Sequence, residues 1–222
     1  MSPALLAALA LAVQDAGPAE TAAPPPQARS VALERVFPFW TAYHALPEDQ
    51  RSAFTLDYVI ALRGGGPARF WVETPGGFVV LDRDEDGGAT PPPPSAFEPG
   101  ARLFTDAPEG GAAVSMRLSL SGEPSTRYEM AELRAALGQA GAAMRGLMGL
   151  RALVMPRLDT IRFSFDGPAP DAVIVFEDGR EAPVETVYGP VITIRPQERA
   201  LRRAAAVRFA APPEAAVLET GR

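Results

Sequence analysis

Apolar and polar positions alternate in twos over much of this chain, the period of a strand with one buried face. In Phe54–Leu62 the set Phe54, Leu56, Tyr58, Ile60 and Leu62 opposes Thr55, Asp57, Val59 and Ala61. Val114–Ser121 repeats the pattern: Val114, Met116, Leu118 and Leu120 oppose Ser115, Arg117, Ser119 and Ser121. The runs ARFWVE (68–73) and FVVLD (78–82) flank Thr74-Pro75-Gly76-Gly77, a hairpin turn signal. A short strand is expected at RLFTD, 102–106. Past Pro156 the alternation resumes with Ile161, Phe163 and Phe165. A second hairpin is expected around Asp178-Gly179, then a strand at VITIR, a helical turn or two over 196–203 and a short strand at AVRFAAPP.

One stretch changes period. Met130, Leu133, Leu137, Met144 and Met148 fall at helical spacing, with Glu132, Arg134, Gln139 and Arg145 on the other face. Thr126-x-x-Glu129 just before it matches a capping box, in which the two side chains would satisfy orphan N–H groups. Ala and Gly over 138–143 would let a sheet approach the helix closely. Phe39, Trp40, Tyr43 and Leu46 predict a shorter aromatic turn of helix. The expected fold is α+β and mainly β: antiparallel, sandwich-like sheets with one long packed helix.

The first thirty residues read differently. Ala4–Val13 is an unbroken apolar run, too short for a bilayer, which needs about 20 residues. With Ala10-Leu11-Ala12 as a small-x-small cleavage site it fits a secretory signal, although its n-region holds no arginine. The Pro/Ala-rich stretch that follows lacks periodicity and reads as a linker. The expected organisation is a signal peptide at 1–12, a linker at 13–30 and an N-terminal β-sandwich-like module at 31–122. An amphipathic helix at 123–150, a C-terminal antiparallel β module at 151–214 and a fraying tail at 215–222 follow. That places the folded part in the periplasm or outside the cell, with no transmembrane span after signal cleavage.

Composition narrows the function classes. The 222 residues carry a net charge of −6 and no lysine or asparagine, so every basic residue is arginine. No basic run exceeds Arg202-Arg203, which argues against nucleic acid and against anionic membranes as partners. Without cysteine there are no disulfides, thiolate nucleophiles or iron–sulfur clusters. His44 is the single histidine, so any Ser-His-Asp mechanism would run through it, with Asp57 or Asp49 as orienter. Beside Trp40 and Tyr43 its bland role is packing. GxSxG, HExxH, phosphate-binding and dinucleotide motifs are absent, and Arg63–Pro67 (RGGGP) reads as a turn.

The sharpest local pattern is Asp82, Asp84 and Asp86 ahead of Gly87, the opening of a calcium loop. Position twelve of such a loop, where a bidentate Glu belongs, is Pro93, and the next acid is Glu98. A solvated turn ending a strand is therefore the first reading and a calcium site the second.

Three stretches, DAPEGGAAVSMRLSLS, ALGQAGAAMRGLMGLRALVMPRLDTIRF and VFEDGREAPVE, with the aromatic segment near Tyr43, resemble an uncharacterised family of exported alphaproteobacterial proteins, a domain of unknown function. The resemblance implies periplasmic export and transfers no functional residue. The expected function is a non-enzymatic binding or structural accessory module of the envelope, its partner an envelope protein or small ligand. The alternative is a carboxylate-dependent hydrolase acting on an envelope carbohydrate or peptide.

Overall fold

A computed structural model describes residues 23–63, 67–149, 156–184 and 189–221. The signal segment 1–12, the linker up to residue 22, most of the Arg63–Pro67 turn and the 150–155 connection lie outside the described residues. The chain opens with β1 (Arg29–Ala32) and two short helices, α1 (Leu33–Val36) and α2 (Trp40–His44). Then come β2 (Phe54–Leu62), the hairpin β3 (Phe70–Thr74) and β4 (Gly77–Val80), the two-residue β5 (Gly88–Ala89), β6 (Arg102–Thr105) and β7 (Ala112–Leu120). After β8 (Arg127–Glu129) the long helix α3 (Met130–Met148) leads to β9 (Leu158–Ser164). The hairpin β10 (Ala172–Phe176) and β11 (Glu181–Pro183), then β12 (Val191–Ile194), β13 (Ala204–Phe209) and β14 (Ala215–Thr220) complete the chain.

These strands build three antiparallel sheets, ordered β1-β6-β3-β4, β11-β10-β13-β8 and β12-β9-β14-β7-β2-β5. The fold is thus α+β and mainly β, with one long helix packed on the sheets. The six-stranded sheet is the spine. Its inner face carries Phe54, Leu56, Tyr58 and Ile60 from β2, Leu118 from β7, Ile161 and Phe163 from β9, and Ile192 and Ile194 from β12, all buried. Phe37 and Trp40 cover β2 by edge contacts on Tyr58. At the other end Phe163 packs against Phe209 of β13 and Tyr128 of β8, at 4.8 and 5.1 Å between ring centres. The α3 stripe Met130, Leu133, Leu137 and Met144 is buried with the same core, while Met148 is half-buried.

The structure departs from the sequence reading at four places. The 13–30 linker ends early, because Arg29 and Ser30 already pair with β6. The tail is the second departure. Residues 215–220 form β14, which sits between β9 and β7 in the middle of the spine. Adjacent Val217 and Leu218 are both buried, at 5% and 4% exposure, so this strand is covered on both faces and shows no alternation. The modules drawn at 31–122 and 151–214 consequently share one sheet.

The capping box does not form. Arg127–Glu129 pairs with β13 as a strand, and Glu129 Oε1 accepts from Arg127 Nε at 2.7 Å. The helix starts at Met130 with no side-chain cap. Finally, the glycines of α3 do not mediate close approach. Nothing lies within 4 Å of a Cβ placed at Gly138, and the buried small residues are Ala136, Ala140 and Ala143.

The polar face of α3 is not merely solvated. Gln139 accepts from Ala53 N–H at 2.7 Å and donates to the Asp49 carbonyl at 2.6 Å, tying the helix to the start of β2. Arg134 donates to the carbonyls of Pro196 and Leu201, at 3.1 and 2.7 Å, tying it to the turn before β13. Bonds from a charged donor contribute about 1.5–3 kcal/mol each when shielded, so Arg134 is the stronger clamp.

Two stability outcomes follow. Leu218→Ala, which opens space inside the spine, should cost about 2–5 kcal/mol in urea unfolding. Gly138→Ala, in open space on the helix surface, should gain about 1 kcal/mol by the same measurement.

Candidate functional site

The residues flagged by sequence are dispersed. His44 ends α2, half-buried, its ring 4.2 Å from Trp40 and 5.3 Å from Tyr43 between centroids. Its Nε2 is shielded from solvent and has no hydrogen-bond partner among the described residues. The environment is aromatic and anchored: Trp40 Nε1 donates to Pro92 O at 2.9 Å, Tyr43 to Phe54 O at 3.0 Å, and Tyr58 to Pro38 O. Burial first, and the Arg51 guanidinium second, hold the imidazole below its ordinary range. Burial likewise raises Tyr43 and Tyr58. Among the described residues no carboxylate is hydrogen-bonded to His44, and Asp57 accepts from the Thr55 hydroxyl on the opposite face of β2. A packing role for His44 accounts for this geometry.

Asp82, Asp84 and Asp86 are exposed beyond the end of β4. Asp84 is occupied locally: its Oδ1 accepts from Gly88 N–H at 2.6 Å, its own N–H donates to Gly88 O at 2.9 Å, and its carbonyl accepts from Gly87 N–H at 3.0 Å. Gly87, at φ 84°, then presents its carbonyl to Ile60 N–H at 2.7 Å. The turn lays β5 along β2. Among the described residues no three acidic or histidine side chains gather as a cation cage. Glu98 lies elsewhere, lining an open cleft with Glu73 beside the β3–β4 hairpin, and both carboxylates are exposed.

What the structure brings together instead is one edge of β7. Its pairing with β2 runs from Phe54↔Leu120 to Leu62↔Ala112. Flanking bonds from Ser121 N to Ala53 O and from Arg63 N to Gly111 O fix which pairs exchange hydrogen bonds. Alternate antiparallel pairs do so, hence Ala113, Ser115, Arg117 and Ser119 turn their backbone groups to β2. Ala112, Val114, Met116 and Leu118 turn theirs to the far side. There β14 reaches β7 only at Val217↔Ser119 and Leu218↔Leu118. It then follows β9 away, with a register shift between Glu219 and Thr220. Below Leu118 the N–H and C=O of Met116, Val114 and Ala112 meet no strand among the described residues.

Two concavities flank this edge. The fork between β7 and β14 encloses about 530 Å³, walled by Ser115, Met116 and Arg117 on one side and Arg162, Glu219 and Thr220 on the other. Arg162 Nε and Glu219 Oε1 form an ion pair at 2.7 Å. Arg117 Nε is shielded and has no partner among the described residues, and no ion pair joins it to Asp57 across the ladder. The second concavity, about 400 Å³, is an apolar groove between the four-stranded β1 sheet and the β2–β7 end of the spine. Ile60, Phe70 and Leu103 floor it, and Val31 and Val114, at 36% and 40% exposure, form its lips. Arg35 and the Arg29–Glu109 pair, 3.1 Å apart, stand at its rim.

Sequence reasoning missed this site because VSMRLSLS has the pattern of an ordinary ladder strand. One signal was present: Ala112–Met116 carries no charge and no proline, the devices that protect an exposed edge. Compared with protein-family models, curated proteins and solved structures, the chain matches none. Among the described residues no helix is long and apolar enough to cross a membrane.

The local geometry sets two outcomes. Millimolar calcium should leave the melting temperature unchanged, whereas Asp84→Ala should cost about 1 kcal/mol with or without the ion by removing the turn bond. His44, as the single histidine, gives one imidazole NMR titration, expected below the unfolded value of about 6.5. A depressed folded pKa means full stability above the unfolded value and progressive loss as pH falls from there toward the folded one. In His44→Phe that part of the pH–melting curve should flatten.

Proposed function

We propose that this chain is an exported protein of the bacterial envelope whose folded part is a non-enzymatic binding module, like the family it resembles without known activity. The observation that carries this reading is the open edge of β7, an uncharged strand edge set between an apolar groove and a polar fork. Exposed apolar surface rimmed by polar residues marks interaction sites on folded proteins. Here Val31 and Val114 supply the apolar contact and Arg35, Arg117 and the Arg162–Glu219 pair the polar rim. The partner class is an envelope protein or a small ligand.

The test compares affinity capture from envelope extracts by the wild type and by Val114→Arg. A partner retained by the first and lost from the second, with melting temperatures alike, is the expected result; equal recovery would sink the reading. For export, mass spectrometry should find residues 1–12 removed and the mature chain beginning after Ala12.

A carboxylate-dependent hydrolase remains the second reading, supported by Glu73 and Glu98 sharing one cleft. General acid catalysis needs one carboxyl held protonated in an enclosed, apolar setting, and both of these are exposed to water.

A further inference from the structure

Building on the binding reading, we infer that the open edge of β7 takes an extended peptide by strand addition, and that the peptide carries a carboxylate on its outward side. The backbone decides the mode. Met116, Val114 and Ala112 offer N–H and C=O groups at every second residue, in register for one further strand, and β14 has already turned away from them. An added strand completes the ladder that β14 begins at Leu118.

Side-chain direction decides the sequence preference. Even-numbered residues of β7 point to the inner face, where Val114 and Ala112 line the apolar groove. Odd-numbered residues point outward, where Ser115 and Arg117 line the fork. A peptide beside them therefore alternates: apolar residues toward Val114 and Met116, polar ones toward Arg117. The fork walls hold Arg117, Arg162 and Glu219, and Glu219 is already paired to Arg162 at 2.7 Å. Arg117 is left with a shielded Nε that has no partner among the described residues. Its one acidic neighbour across the ladder, Asp57, is not ion-paired to it and accepts from Thr55 at 3.3 Å. A carboxylate on the incoming strand meets that guanidinium, and an ammonium does not.

The edge also suits one strand better than a second copy of this chain. A symmetric β7–β7 pairing would have to bring a whole second spine past β14, whose Glu219 and Thr220 form the far wall of the fork.

The experiment titrates the full chain with acetyl-(Val-Glu)4-amide by calorimetry. The same peptide N-methylated at alternate residues, which cannot form ladder bonds, and acetyl-(Val-Lys)4-amide serve as comparisons. Binding of the first probe is expected, weakened about tenfold or more for each comparison peptide. Val114→Pro removes only the outward N–H, as edge positions tolerate; it should keep its melting temperature within a few degrees and lose the first probe. Arg117→Gln should fold and abolish the preference for glutamate over lysine. Equal binding of the N-methylated peptide, or none of the first probe, overturns strand addition. So does a wild-type dimer that Val114→Pro converts to monomer, since the occupant is then a second copy. The separate capture by wild type and Val114→Arg tells the two readings apart: a partner recovered there with no peptide bound here leaves the binding module standing without this mode.

Discussion

The structure turns on how β14 divides its hydrogen bonds. A strand has two edges, and in the middle of a sheet both must be matched by neighbours that run at the same twist. β14 stays with β9 from Ala215 to Thr220, taking up a register shift near its end, and lies against β7 for only two residue pairs. That short seam joins the strands preceding α3 to those following it. It makes the spine continuous and, by ending at Leu118, leaves the lower half of β7 with one open edge.

The spine is covered in sections. Aromatic rings from the α1–α2 region lie over β2, α3 lies across the middle, and the β8–β13 sheet lies over β9. Each cover is fastened by polar contacts as well as by apolar burial. Arg134 and Gln139, in the first half and the middle of α3, reach to loops on either side and satisfy backbone groups of those loops. Where the covers stop short, between the β1 sheet and the end of β7, Val31 and Val114 remain in solvent. The apolar groove and the open edge thus have one origin, a sheet longer than its lids.

The chemistry-bearing side chains fit this picture by being spread out. His44 is half-buried among rings with no orienting carboxylate among the described residues, Asp84 closes a tight turn, and Glu73 and Glu98 stand in water. The concentration of features lies on backbone and arginine groups at the β7 edge, which suits recognition of another chain more than bond cleavage.

Much of this was legible in the sequence where the physics is local. The period of two in Phe54–Leu62, the Asp178-Gly179 turn and the Met130–Met144 stripe each depend on residues within one element, and each appears as expected. The capping box failed because a partner strand, β13, offered Arg127–Glu129 better-satisfied backbone bonds than a helix start could. The tail failed because Val217 and Leu218, buried on both faces, lose the alternation that marks a strand. The open edge was hidden for a different reason: apart from the missing charge and proline, Met116 and Val114 carry a normal strand pattern whether or not a neighbour lies beside them. Sequence by itself determined most of the elements, the two faces of each alternating strand and the absence of thiol or multi-histidine chemistry. Only the tertiary structure decided which strands are neighbours, since pairing is settled by long-range backbone hydrogen bonds that no single segment encodes.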